Sequence, residues 1–131
     1  MKSKYVLSVE QMEHLQERGL DTSDGSMCFE WNESDADNMV VTSPDADTNY
    51  DYYHETYTLQ DILDKLPHYL NPFPSKQILF AWMIERDAIA YRNVEDIDDC
   101  LKHFTDDLLI DAAYEMLCWC IENGHIKTNQ L

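Results

Sequence analysis

The chain has little glycine, little positive charge and no long apolar run. Three glycines in 131 residues leave almost no room for a glycine-rich loop that cradles phosphate. Lysine and arginine number 9 against 26 aspartate and glutamate, a formal net charge of −17. That balance disfavours direct binding to nucleic acid or to an anionic membrane surface, since both attract proteins through positive charge. The longest apolar runs, residues 78–84 and 116–121, fall far short of the roughly 18 residues that cross a bilayer. After the two N-terminal lysines only Tyr5-Val-Leu is apolar, where an export signal carries roughly 7–15 such residues. A cytoplasmic protein is therefore expected, with Cys28, Cys100, Cys118 and Cys120 as reduced thiols. Hydrophobic residues make up 44% of the chain. At this length they supply one core that buries about two-thirds of the unfolded surface. A single domain over residues 1–131 is expected, and a multidomain enzyme with its own cofactor domain is excluded.

Helix signals are the clearest features present. Ser8 followed by Gln11 has the form of a capping box, and Val9, Met12, Leu15 and Leu20 give one apolar face ending at Gly19. The spacing predicts a helix over about 9–18. Thr58 caps a second helix, whose stripe Leu59, Ile62, Leu63 and Leu66 stops at Pro67. A third is predicted from a cap at Thr105 or Asp106 to about Asn123, with Gly124 as its stop. Asp111, Glu115 and Glu122 form its narrow polar stripe, and the rest of residues 108–121 is largely apolar. Such a helix must be covered on most of its circumference.

Strand signals are shorter. Met27, Phe29 and Trp31 alternate with Cys28 and Glu30, as in a half-buried strand with the aromatic set inward. Residues 38–42 favour β-structure and can close a hairpin with it. Ile78, Phe80, Trp82 and Ile84 alternate, as do Ile89 and Tyr91. That pattern reads as two antiparallel strands turning at Arg86-Asp87, with a helix capped at Ser75 as the rival. Residues 43–56 show no period and read as a flexible acidic, tyrosine-rich loop. The fold class expected is α+β: a small antiparallel sheet of about four strands packed against a long apolar C-terminal helix, with two shorter helices. Trp31, Trp82 and Trp119 are expected as core aromatics.

Three segments together resemble small uncharacterised proteins carried by phages and mobile elements of gut Bacteroidetes. They are Ser8-Val-Glu-Gln-Met-Glu-His-Leu-Gln-Glu-Arg-Gly-Leu-Asp-Thr-Ser23, Tyr57-Thr-Leu-Gln-Asp-Ile-Leu-Asp-Lys-Leu-Pro67 and Leu109-Ile-Asp-Ala-Ala-Tyr-Glu-Met-Leu-Cys-Trp-Cys-Ile-Glu-Asn-Gly124. The resemblance covers about half the chain and implies a bacterial or phage cytoplasm. The group has no established activity, so no catalytic or binding residue is carried over.

Constellations that carry chemistry are few. Asp45, Asp47, Asn49 and Asp51 have the alternate spacing that opens a calcium loop, but Tyr50 stands where such a loop needs glycine, and Glu55 falls one residue early. A solvated acidic loop explains them better. Cys100 and His103 would share a face if helical, yet four converging ligands are needed for structural zinc. His54 beside Asp51 or Glu55 draws a dyad that any acidic loop would offer. No cofactor is implied. The charge layout carries more. Between Arg18 and Lys65 there is no lysine or arginine, while twelve carboxylates fall there, so −12 of the −17 lies in about a third of the chain.

The function expected is that of a non-catalytic accessory or interaction protein. Asp45, Asp47, Tyr50, Asp51, Tyr52, Tyr53 and Glu55 would face a basic protein partner, since tyrosine offers rigid apolar area and a ring that accepts a cation. The chain itself is expected to be a monomer or weak homodimer. An acidic inhibitor that imitates DNA is the alternative, and a small enzyme the third reading. One outcome follows from charge alone: a gel-shift assay with duplex DNA at low salt is expected to show no retarded band.

Overall fold

The computed structural model describes residues 4–35, 39–43 and 52–128. Among these residues there are three α-helices: α1 (Val9–Glu17), α2 (Leu59–Lys65) and α3 (Leu109–Glu122). Seven strands build two antiparallel sheets. The first holds β1 (Met27–Trp31), β2 (Val40–Thr42) and β3 (Tyr52–Thr56) in the order β2-β1-β3. The second holds β4 (Tyr69–Leu70), β5 (Phe80–Ile84), β6 (Ala88–Asn93) and β7 (Asp96–Thr105) in that order. The α+β class expected from the sequence is what forms, with two sheets in place of one.

Local signals set the helices. Ser8 and Gln11 make both halves of the capping box on α1, and Thr58 and Asp61 do the same on α2. Both glycine stops work as left-handed C-caps. Gly19 N–H donates to Gln16 O and Leu20 N–H to Leu15 O, with Gly19 at φ 92. At the end of α3, Gly124 N–H donates to Ile121 O and His125 N–H to Cys120 O, with Gly124 at φ 75. Each pair is the two-bond closure that satisfies the last carbonyls of a helix.

The start of α3 differs from expectation. Thr105 is the last residue of β7, and its hydroxyl donates to the Asp87 carbonyl. Asp106 accepts from Leu108 N–H instead, and the N-cap Leu108 makes no side-chain cap. The hairpin at 77–93 forms as two strands, and the Glu85 N–H to Ala88 O bond closes its turn around Arg86-Asp87. Three strands were not read from the pattern, among them the two-residue β4, which pairs with the start of β5. β3 occupies the end of the stretch taken as a loop, and the remaining positions of that loop, 44–51, lie outside the described residues. β7 is an edge strand with register shifts against β6, which hide its period.

One cluster of buried side chains forms the core, drawn from α1, α2, α3, the four-stranded sheet, Leu7 and Tyr57. α3 packs on β6, β7 and α2. Ala112, Ala113, Leu117 and Cys120 are buried as expected, while Leu109 is half-buried. Trp82 and Trp119 pack against the cluster without being enclosed by it, and Trp31 lies apart from it. Truncation of Leu117, which is wholly buried, is expected to cost about 2–5 kcal/mol. Chemical denaturation of Leu117→Ala against the parent measures it, and an unchanged midpoint would contradict this packing.

Candidate functional site

The three-stranded sheet carries the described part of the acidic, tyrosine-rich region. Register places Val40, Glu30 and Tyr53 in one row across the sheet, with Thr42, Cys28 and Glu55 in the next row on the same face. Phe29, Val41 and His54 share the opposite face. The alternation read from the sequence is real, but the deeper set is reversed. Cys28 and Glu30 are buried, while Met27, Phe29 and Trp31 are half-buried. Phe29 is flanked by β2 and β3 just as Cys28 and Glu30 are, so the difference lies in what covers each face and not in the pairing.

Glu30 is a carboxylate only 3% exposed. The Cys28 thiol lies 3.6 Å away and donates to it. Burial first, then the hydrogen bond to Glu30 and the charges of Glu30 and Glu55, push the Cys28 thiol up to about 11. Tyr53 stands out at 58% exposure and donates to Glu55 Oε1 at 3.1 Å. That bond, then the charge of Glu55, raises the phenol above its ordinary range. Val40 is exposed on the same face, and Val41 on the opposite one. Five ion pairs occur among the described residues, and neither Glu30 nor Glu55 takes part in any.

Of the residues expected to face a partner, Tyr53 and Glu55 are brought together on this face, and Tyr52 pairs with Trp31 at the end of β3. Asp45, Asp47, Tyr50 and Asp51 lie outside the described residues, as does Asn49 of the calcium-like spacing. The His54–Glu55 dyad does not form. His54 Nδ1 donates to the backbone carbonyl of Glu55 at 2.9 Å, and adjacent residues of a strand point to opposite faces. Cys100 and His103 fall on β7 and not on a helix, so the shared helical face is absent. Among the described residues no three histidine, cysteine or acidic side chains converge as metal ligands.

A second cluster was invisible to local pattern. His14 of α1 reaches Tyr114 and Cys118 of α3, 100 and 104 residues away. Arg18 Nε donates to His14 Nε2 at 2.9 Å. A guanidinium can only donate, so Nε2 holds the lone pair and Nδ1 holds the proton. Nδ1 is the nitrogen that faces both the Tyr114 hydroxyl and the Cys118 thiol, 3.9 Å away. In this tautomer the imidazole is a donor toward Cys118 and not a base for it. Burial also raises the Cys118 thiol. The arrangement fixes a ring and shields a thiol.

Thiol chemistry tests both clusters. Exposed Cys100 is expected to be alkylated first, with buried Cys28, Cys118 and Cys120 protected until the chain opens. Only the thiolate is nucleophilic, so with its pKa held up at about 11, Cys28 gains reactivity as the pH rises toward that value. Iodoacetamide labelling followed by peptide mass analysis reads each site. Rapid modification of Cys28 at about pH 8 would contradict its burial beside Glu30.

Compared with protein-family models, with curated proteins and with solved structures, the chain shows no match.

Proposed function

We propose that the chain is a non-catalytic interaction protein of a phage or mobile element. Its three-stranded sheet, with the adjoining acidic, tyrosine-rich segment, binds a basic protein in the cytoplasm. The observation that carries this reading is a division within the fold. Among the described side chains, none of β1, β2 or β3 belongs to the core cluster. Yet the sheet exposes Val40 and Tyr53 on the face that also carries Glu55, a carboxylate that enters none of the described ion pairs. Exposed apolar side chains ringed by charge mark interaction surfaces. A partner carrying lysine or arginine next to apolar residues matches both features, and its association is expected to be fast and salt-sensitive.

An amphipathic peptide of alternating lysine and valine serves as a basic probe. The double substitution Tyr53→Ala with Glu55→Gln is expected to weaken its binding roughly three- to tenfold. A matched control, Tyr69→Ala with Glu95→Gln, removes an equally exposed tyrosine (60%) and one charge from the other sheet region. The control is expected to leave affinity nearly unchanged. Equal weakening by the two pairs would mean that the probe senses net charge alone, and the reading would fail.

A further inference from the structure

We propose that the cleft between α1, β7 and α3 binds a small quaternary or N-methylated ammonium compound. The cleft measures about 380 Å³, and its walls include Phe104 of β7 with Tyr114 and Trp119 of α3. That volume lies in the usual range for small-molecule sites, about 300–1,000 Å³. Trp119 also contacts Tyr91 and His125 outside the cleft, while Tyr114 meets His14 and Phe104 lies under the Lys102 ammonium, both of which line it. Among the described residues none of the three rings stacks on another of the three, and the space between them is the cleft.

The chemistry of the lining selects a cation. Glu115, Trp119 and Glu122 sit at i, i+4 and i+7 on α3, which places a carboxylate to either side of the indole on one helix strip. Glu115 is exposed and enters none of the described ion pairs. Aromatic faces attract cations through the ring quadrupole. The chain supplies a cation of its own: the Lys102 ammonium lies 5.1 Å from the centre of the Phe104 ring. A primary ammonium is strongly hydrated and gives up little water there. A methylated ammonium keeps the charge, loses less hydration and fills more of the space. A bare metal ion does not fit, because no set of three ligating side chains converges among the described residues.

The walls are held without a ligand. Arg18 bonds Glu122 at 2.5 Å and His14 at 2.9 Å, and the proton this leaves on His14 Nδ1 points at the Tyr114 hydroxyl. Glu122, Arg18, His14 and Tyr114 thus form a chain that fixes one acidic and one aromatic member of the site. Such preorganisation lowers the ordering cost of binding. The inference stands apart from the acidic sheet, with which this cleft shares no residue.

Calorimetric titration with tetramethylammonium and choline tests the site, with the Trp119 indole N–H followed by NMR. Saturable binding and a shift at Trp119 are expected, with no response to 3,3-dimethyl-1-butanol, the neutral isostere of choline. Glu115→Gln is expected to weaken binding roughly three- to thirtyfold, and Glu13→Gln, an exposed change on α1, to leave it unaltered. Lys102→Met removes the internal competitor and is expected to tighten binding severalfold. Equal response to the neutral isostere, insensitivity to Glu115→Gln, or no binding by both the parent and Lys102→Met would overturn the proposal. Binding of a trimethyl-lysine peptide without binding of either free compound would overturn the assignment to a small molecule.

Discussion

The burial of α3 is the constraint around which the other elements are arranged. Ile110, Ala112, Ala113, Met116, Leu117, Cys118 and Cys120 are all buried, and these positions span more than one face of a helix. One neighbour cannot cover them. β6 and β7 lie on one side and α2 on another. The third flank is α1, and it docks through polar groups. Gln11 meets Asp111, His14 meets Tyr114, and Arg18 meets Glu122. The partners rise together along both helices, so α1 and α3 run parallel. The stripe Asp111, Tyr114, Cys118 and Glu122 on α3 is thereby occupied by α1, and Glu115 remains exposed.

This seam sets register more than it adds stability. Its ion pairs, Lys4–Asp111 and Arg18–Glu122, are between about a fifth and a half exposed, and pairs of that kind contribute roughly 0–1 kcal/mol. Burial opposes ionisation of Asp111, but hydrogen bonds from Lys4 and Gln11 outweigh it and hold the carboxyl below its ordinary 3.8. A depressed carboxyl contributes stability above its unfolded value and loses that contribution as the pH falls through its folded one. The fixed spacing of these groups is what aligns His14 with the cleft.

What the sequence made legible was local. Capping boxes at Ser8 and Thr58 and glycine stops at Gly19 and Gly124 depend on neighbours a few residues away, so these helix ends could be read from composition and spacing, unlike the start of α3, which has no side-chain cap. The β5–β6 turn was legible for the same reason. β3 and β7 were not, because their pairing partners are remote in sequence and their patterns lack a clean period of two. In β7 the register shifts break the alternation. In β1 the period was right and the face was wrong: which set lies deeper depends on what covers each face of the sheet, and no local signal shows that. The candidate surface was legible as acidic and tyrosine-rich. The burial of Glu30 was not, and the meeting of His14 with Cys118 needed a contact across 104 residues. The Glu115, Trp119, Glu122 spacing was in the sequence throughout, but only the cleft gives it a common target.

The attachment of the three-stranded sheet explains how a segment so acidic can belong to this fold. Its described side chains add nothing to the core cluster, so its carboxylates need not be accommodated there. The sheet is tied on at one end. Thr56 donates to the Leu7 carbonyl at 2.6 Å, and Leu7 N–H donates to Tyr57 O at 3.0 Å. Tyr57 is wholly buried, and its hydroxyl donates to Asp24, which in turn pairs with Lys65. Gly25 passes so close to β3 that a Cβ there would stand 2.7 Å from the Thr56 carbonyl oxygen. Only glycine permits that approach. Anchored at this end, the sheet can carry like charges that the core could not tolerate: water screens those on its accessible side chains, and the Cys28 thiol donates to buried Glu30. Regions with few core contacts open at lower free energy than the core. Opening of the acidic sheet therefore costs the core little.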